Sequence, residues 1–441
     1  MPMDVVNAII LDRHNDHHGM AAESLEGYSG GNPSSDKSGS LPGIRSWTFD
    51  RGTGNVSGLL GSNDNFGTYR VLGNLDINID HGVTYQNYRR ALDLENGVYT
   101  TSYQTNHANY TTSLFCSYPA DVCVYRIASS ATLPKITAKF ENKDVPNNLA
   151  KASCGDRYAR YSGVTQQGPP EGLKYDAVAR IAGSRPSTCS GDGTLTVPES
   201  SGVQDLTFVI GADTNYDASK GTSAHGYSFK GVDPGPRVES VTTTAAGFKY
   251  DDLLSKHTSD YQALFGAFTL SLPDPRSSAK EETAKIISRY STVSNGDPFV
   301  EGLLFDYSRY LLITSSRENS LPSNLQGLWA EDLKPDWGAD YHATINLQMN
   351  YWTADQTGLQ QASVALWNYM ANTWVPRGTE TAKLLYNAPG WVTHNEMNVF
   401  GYTAMKSGEG YANYPVAAAW MMQHVWDNVE YGQNIAWLKD T

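Results

Sequence analysis

A chain of 441 residues, 40% of them hydrophobic, is too long for a single core, so two or more domains are expected. Its formal charge of -13 offers no basic footprint for a phosphate backbone, which argues against nucleic acid and anionic membrane surfaces as partners. No apolar run approaches the roughly 18 residues of a membrane-spanning helix.

Residues 1–22 form an atypical opening segment. The apolar patch from Val5 to Leu11 is short, contains Asn7 and lacks a basic flank, so it does not read as a signal peptide. Tyr69 to Asp80, Gly97 to Ile127 and Leu206 to Asp213 are rich in Val, Thr, Tyr and Ile, with polar alternation and Gly or Asn breaks. They read as antiparallel strands of a sandwich. All four cysteines, Cys116, Cys123, Cys154 and Cys189, lie in this first half, beside the sequons Asn55-Val-Ser57 and Asn109-Tyr-Thr111. Of the three possible pairings, proximity favours Cys116 with Cys123 and Cys154 with Cys189, each contributing about 2–4 kcal/mol; four buried thiols are the alternative. An oxidising, extracellular setting is the expectation for the complete protein.

Composition changes at Ser271-Leu-Pro-Asp-Pro275, before which all the cysteines lie and after which nine of the ten tryptophans fall. The boundary is placed there. Ser278-Ala-Lys-Glu281 has capping-box form before Ala284, Ile286, Ile287 and Tyr290. Asp297-Pro298 suits an N-cap and first helical position, with Val300, Leu303, Leu304, Tyr307 and Leu311 marking one apolar face. Leu359 to Asn372 and Tyr414 to Glu430 also read as helices.

Two polar clusters stand out in this half. In His342-Ala-Thr-Ile-Asn346-Leu-Gln-Met-Asn350, an extended start would project His342, Thr344 and Asn346 to one side. A helix beginning near Asn346 would continue that face to Asn350, while Leu347 and Tyr351 reach a core. Imidazole, amide and hydroxyl groups beside Trp329, Trp337 and Trp352 suit a sugar, which offers hydroxyls and an apolar C–H face. A buried amide network and packing tryptophans are the bland alternatives. Asp332, Asp336, Asp340 and Asp355 are nearby carboxylates that read first as solvated or capping groups. The second cluster, Gly390-Trp391-Val-Thr-His394-Asn-Glu396, reads either as a site loop or as a hydrogen-bonded connector. The spacing of His394 and Glu396 lacks a zinc-helix pattern, and no nucleophile elbow or phosphate loop is present, so no metal or cofactor is expected.

Taken together, Ser315-Ser-Arg-Glu-Asn-Ser-Leu-Pro-Ser-Asn-Leu-Gln-Gly-Leu-Trp329, Trp337 to His342 and Asn346 to Trp352 resemble glycoside hydrolase family 95, the inverting alpha-L-fucosidases, in its fungal form. Weaker matches are Tyr28-Ser-Gly-Gly-Asn32, Tyr88 to Leu94 and Gly390 to His394. The resemblance implies an N-terminal antiparallel β-sandwich (23–270), a helical linker (271–295) and the first part of an (α/α)6 barrel (296–441), with a C-terminal β domain in the complete protein. It also implies that His342 contacts fucose, Asn346 positions the attacking water and Glu396 binds the sugar. Thr344 replaces the family's first water-positioning asparagine, exchanging an amide for a hydroxyl. Asn350, His394 and Trp391 complete the candidate substrate-binding set.

The implied reaction is hydrolysis of terminal alpha-1,2-linked L-fucose with inversion, on a fucosylated oligosaccharide. Inverting hydrolysis needs an acid and a base roughly 6.5–9.5 Å apart. No counterpart of the family's glutamate and aspartate for these roles is found before Thr441, and about half the helices of a twelve-helix barrel are present. A fragment is therefore expected. The competing readings are a non-catalytic carbohydrate-binding protein and an alpha-L-galactosidase.

Overall fold

The computed structural model describes residues 6–9, 32–33, 35–51, 59–60, 72–82, 84–142, 149–165, 167, 171–199, 202–293, 295–325, 341–394, 396–405, 414 and 416–440. Trp329, Trp337, Asp332, Asp336, Asp340 and the sequon residue Asn55 lie outside the described residues.

Alternating apolar residues build two antiparallel sheets. The five-stranded sheet runs, in spatial order, β1 (Val6–Ile9), β2 (Asn74–Ile79), β7 (Ile136–Glu141), β12 (Leu195–Val197) and β11 (Thr188–Cys189). The eight-stranded sheet runs β3 (Gln86–Asp93), β4 (Val98–Gln104), β5 (Asn109–Ser117), β6 (Val122–Ser129), β13 (Asp205–Thr214), β10 (Lys174–Ile181), β9 (Tyr158–Val164) and β8 (Ala150–Gly155). Leu75, Ile77 and Phe140 of the first sheet meet Tyr125, Ile127 and Phe208 of the second in one buried core. Both expected disulfides form, Cys116 to Cys123 and Cys154 to Cys189. Asn109 of the second sequon is exposed at the start of β5.

A short helix, α1 (Leu41–Arg51), precedes β2. The change to helix comes at α2 (Gly235–Ala246) and α3 (Tyr250–Phe265), ahead of Ser271. These two helices cover the outer face of the larger sheet, where Val124 and Val209 pack with Leu253 and Ala245. Gly211 permits this approach, because a Cβ there would stand 2.9 Å from the Thr242 methyl.

The next helices are α4 (Thr283–Arg289), α5 (Pro298–Ser315), α6 (Asn346–Gln356) and α7 (Gln360–Tyr369). A five-residue π stretch, Met370–Trp374, then carries the chain into α8 (Val375–Tyr386), followed by α9 (Ala417–Gly432) and α10 (Ile435–Asp440). The expected stop at Asn372 does not occur. Pro376 therefore lies inside a continuous helical run, and the wider π turn just before it accommodates its ring and missing N–H.

Two other helix expectations change. Ser278 does not cap α4, which begins at Thr283; its hydroxyl instead donates to buried Asp297 at 2.7 Å. On α5 the buried residues are Gly302, Arg309, Leu312, Ile313 and Ser315, whereas Leu304 is 63% exposed. The Val300 to Tyr307 stripe lines a groove of about 680 Å³ with Ile287 of α4 and Leu92 of β3. Periodicity identifies an apolar stripe but not its neighbour.

Arg309 explains the orientation of α5. It is fully buried and donates to the carbonyls of Thr357 (2.8 Å), Leu264 (3.1 Å) and Phe265 (2.9 Å), joining α5 to the C-terminal ends of α3 and α6, where backbone carbonyls lack helical partners. Arg317 adds a bidentate pair to Asp260 of α3, 3.0 Å to each oxygen. Among the described residues no helix is long and apolar enough to cross a membrane.

Candidate active site

The helix α6 begins at Asn346, as the spacing suggests, but residues 343–345 form a turn rather than an extended strand. Ala343 is buried while Ile345 is exposed, so the expected alternation fails at Ile345. The backbone shows why. His342 has φ 53° and Ile345 φ 147°, the latter a costly conformation for a β-branched residue. The turn is held by Gln348, whose buried Nε2 donates to the Ala343 carbonyl at 2.7 Å, and by the Leu347 N–H on His342 oxygen at 3.2 Å.

Thr344, Asn346 and Asn350 are all half-buried, with the two asparagines one helical turn apart. Leu347 and Tyr351 enter the core as expected. Tyr351 also serves the Ser315 to Asn324 motif: its hydroxyl pairs with the Ser316 hydroxyl at 2.8 Å and accepts the Ser323 N–H at 3.0 Å. That motif is thus a frame behind the turn. Asp355 lies nine residues beyond Asn346, about 13.5 Å along the axis, where Asn428 of α9 donates to it at 2.8 Å. Burial raises its pKa. Trp352 on the same helix is exposed.

The second cluster is joined to the first through the backbone. The Tyr341 N–H donates to the Met397 carbonyl at 2.9 Å, so His342 and Glu396 are each the chain neighbour of one bonded residue. Glu396 is half-buried, and its charge, after burial, helps push the hydroxyl pKa of buried Tyr402 well up. Sequence reasoning missed Tyr402, which no spacing rule connects to Glu396.

His394 and Trp391 have different surroundings. The His394 Nδ1 is 2.7 Å from the Thr403 carbonyl and must donate to it, which leaves Nε2 to accept the Tyr386 hydroxyl at 2.9 Å. Both ring nitrogens are engaged and the side chain is 1% exposed, so His394 has no nitrogen left for a ligand. Burial, only partly offset by the Thr403 bond, lowers its pKa. Trp391 packs edge-on against Trp374 and over Gly378, as a core residue does. Among the described residues no group of three His, Cys, Asp or Glu is arranged to hold a metal.

Residues 249–441 match the glycosyl hydrolase family 95 catalytic domain, and residues 23–219 match the N-terminal domain of glycosyl hydrolase family 65. The helical part of the chain is thus similar to the catalytic domain of glycoside hydrolase family 95. The chain is 49% identical over 419 residues to a probable alpha-fucosidase A of Aspergillus niger, a match covering 94% of this chain and 52% of that one. A probable alpha-fucosidase A of Aspergillus oryzae is 47% identical, with 86% and 52% covered. Alpha-L-fucosidase 2 of Arabidopsis thaliana is 28% identical, with 84% and 46% covered. The chain spans about half the length of these curated relatives.

Within this matched region the loop after Glu396 is fastened from several directions. Tyr369 of the helical core donates to the Asn398 carbonyl at 2.6 Å, and Tyr216, just past the last sandwich strand, donates to the Val399 carbonyl at 2.5 Å. The Asn398 Oδ1 accepts the N–H groups of Phe400 and Tyr402, both at 3.0 Å. A loop secured at this density supports a preorganised binding surface.

Proposed function

We propose that the complete protein hydrolyses terminal alpha-1,2-linked L-fucose from oligosaccharides with inversion. The helical half would form part of an (α/α)6 barrel. His342 and Glu396 would grip the sugar, Asn346 and Thr344 would hold the attacking water, and Asn350 would extend the polar surface. Carboxyl groups acting as acid and base complete such a reaction, because neither an amide nor a hydroxyl accepts a proton well near neutral pH. The observation that carries this reading is the Tyr341 to Met397 bond, which draws the His342 turn and the Glu396 loop together within the family 95 region. The names of the fungal relatives support the fucosidase assignment. The two disulfides support a secreted protein, since such bonds persist in oxidising compartments.

The test is incubation of the full-length protein with 2'-fucosyllactose, followed by proton NMR. Free fucose appearing first as the β anomer is expected. Folded protein that releases none defeats the hydrolase reading, and the α anomer appearing first defeats inversion. Faster turnover of the matching L-galactoside would move the assignment to an alpha-L-galactosidase.

A further inference from the structure

The loop beyond Glu396 is also held by a residue from the opposite end of the chain. Asn32 is buried and lies 371 positions from Thr403, yet its Oδ1 accepts the N–H groups of Thr403 at 2.9 Å and Ala404 at 3.1 Å. Its Nδ2 donates to the Gly401 carbonyl at 3.1 Å. An amide places an acceptor and a donor side by side, which this turn of backbone requires. Gly401, Thr403 and Ala404 are themselves buried, so water is not at hand to replace these bonds.

Tyr402 is therefore fastened on both sides, through Gly401 and Thr403, by one side chain. Gly401 adopts φ 74° and packs so tightly that a Cβ would lie 2.5 Å from Arg377 Cγ, which leaves the turn little freedom to find another path. The Thr403 carbonyl is the same one that receives His394 Nδ1. Asn32 falls within the 23–219 match and the loop within the 249–441 match, so the contact ties the two family regions together.

We propose that Asn32 is a positioning residue of the sugar site: by fixing residues 401–404 it holds the Tyr402 N–H on Asn398 Oδ1 (3.0 Å), two residues beyond Glu396, and so sets the course of the loop that carries Glu396. This rests on the reading of Glu396 as a sugar ligand. Asn32 acts through the loop and does not itself touch the sugar.

The experiment is calorimetric titration of the protein with L-fucose, comparing the parent, Asn32→Ala, Asn32→Asp and a sandwich control, Asp176→Asn, which weakens the Arg160 pair between β9 and β10. Asn32→Ala is expected to weaken binding about tenfold or more, the effect of losing buried backbone bonds. Asn32→Asp keeps an acceptor for Thr403 and Ala404 and is expected to fall between the alanine variant and the parent. Asp176→Asn is expected to bind as the parent does. Parent-like affinity in Asn32→Ala overturns the proposal, as does an equal loss in Asp176→Asn, which would mark general destabilisation. Should the alanine variant not fold, parent-like binding by Asn32→Asp overturns it instead. A parent protein that binds no fucose removes the sugar-site reading itself, and this inference falls with it.

Discussion

The backbone N–H of Tyr341 donates to the carbonyl of Met397, and this bond sets the strained turn at His342 beside the loop at Glu396. The two segments come from clusters that lie more than fifty residues apart in sequence. If both serve one sugar, removing either side chain should cost binding. His342→Ala and Glu396→Gln are each expected to weaken L-fucose binding by about 1–3 kcal/mol, the range for removing a polar interaction from a partly buried site. Isothermal titration of the singles and the double checks this. A double-variant loss smaller than the sum would show that they share a ligand, whereas unchanged affinity in both singles removes them from the site.

His394 gives the loop a pH response. Its folded-state pKa is depressed, first by burial, so the unfolded chain binds a proton more readily than the folded one. The neutral ring therefore contributes stability above its unfolded pKa of about 6.5, and that contribution is lost as pH falls through the lower folded value. Denaturation midpoints should drop on acidification from about pH 7 to pH 5. His394→Gln, which cannot charge, is expected to start less stable and to show a flatter slope over that window. An identical slope in the variant would count against the assignment.

Arg309 is the counterpart on the structural side. Its guanidinium serves the carbonyls of Leu264, Phe265 and Thr357, and Arg309→Met leaves all three buried without that donor. The expected destabilisation is about 3 kcal/mol or more. Tryptophan fluorescence during urea unfolding is the measurement, since nine of the ten tryptophans lie in the helical half. A shift below about 0.5 kcal/mol, typical of a surface change, would show that the carbonyls find other partners.

What can be read from sequence follows the range of each interaction. Alternation identifies β5, β6 and β13, and helical spacing places the start of α6 at Asn346 with Leu347 and Tyr351 inward. Both cysteine pairs follow from proximity. The remainder depends on neighbours that periodicity does not name. Leu304 and Tyr307 read as core, but buried Arg309 turns α5 so that the apolar stripe lines an open groove. Ile345 gives no warning of its positive φ, because β-branched residues ordinarily avoid it. Asn32 lies far in sequence from its partners, and His394 reads as a ligand because composition does not reveal that both ring nitrogens are already bonded.

The two disulfides should differ in what they stabilise. Cys116 and Cys123 are directly paired across the hairpin of β5 and β6, seven positions apart, so they close a short loop that the strands already order. Cys154 and Cys189 are 35 positions apart and join β8, the last strand of the larger sheet, to β11, the last strand of the smaller one. That bond clamps the open side of the sandwich. Chain-entropy scaling gives about 2.5 kcal/mol for the shorter loop and about 3.8 kcal/mol for the longer. Replacing Cys154 and Cys189 by serine is therefore expected to cost more than replacing Cys116 and Cys123. Far-UV circular dichroism at the strand minimum should show the sandwich unfolding at lower urea. Tryptophan fluorescence should move less, because the clamp lies outside the helical half. The reverse ranking of the two pairs, or equal shifts in both signals, would mean that sandwich and helices unfold as one unit and that loop length does not govern the effect.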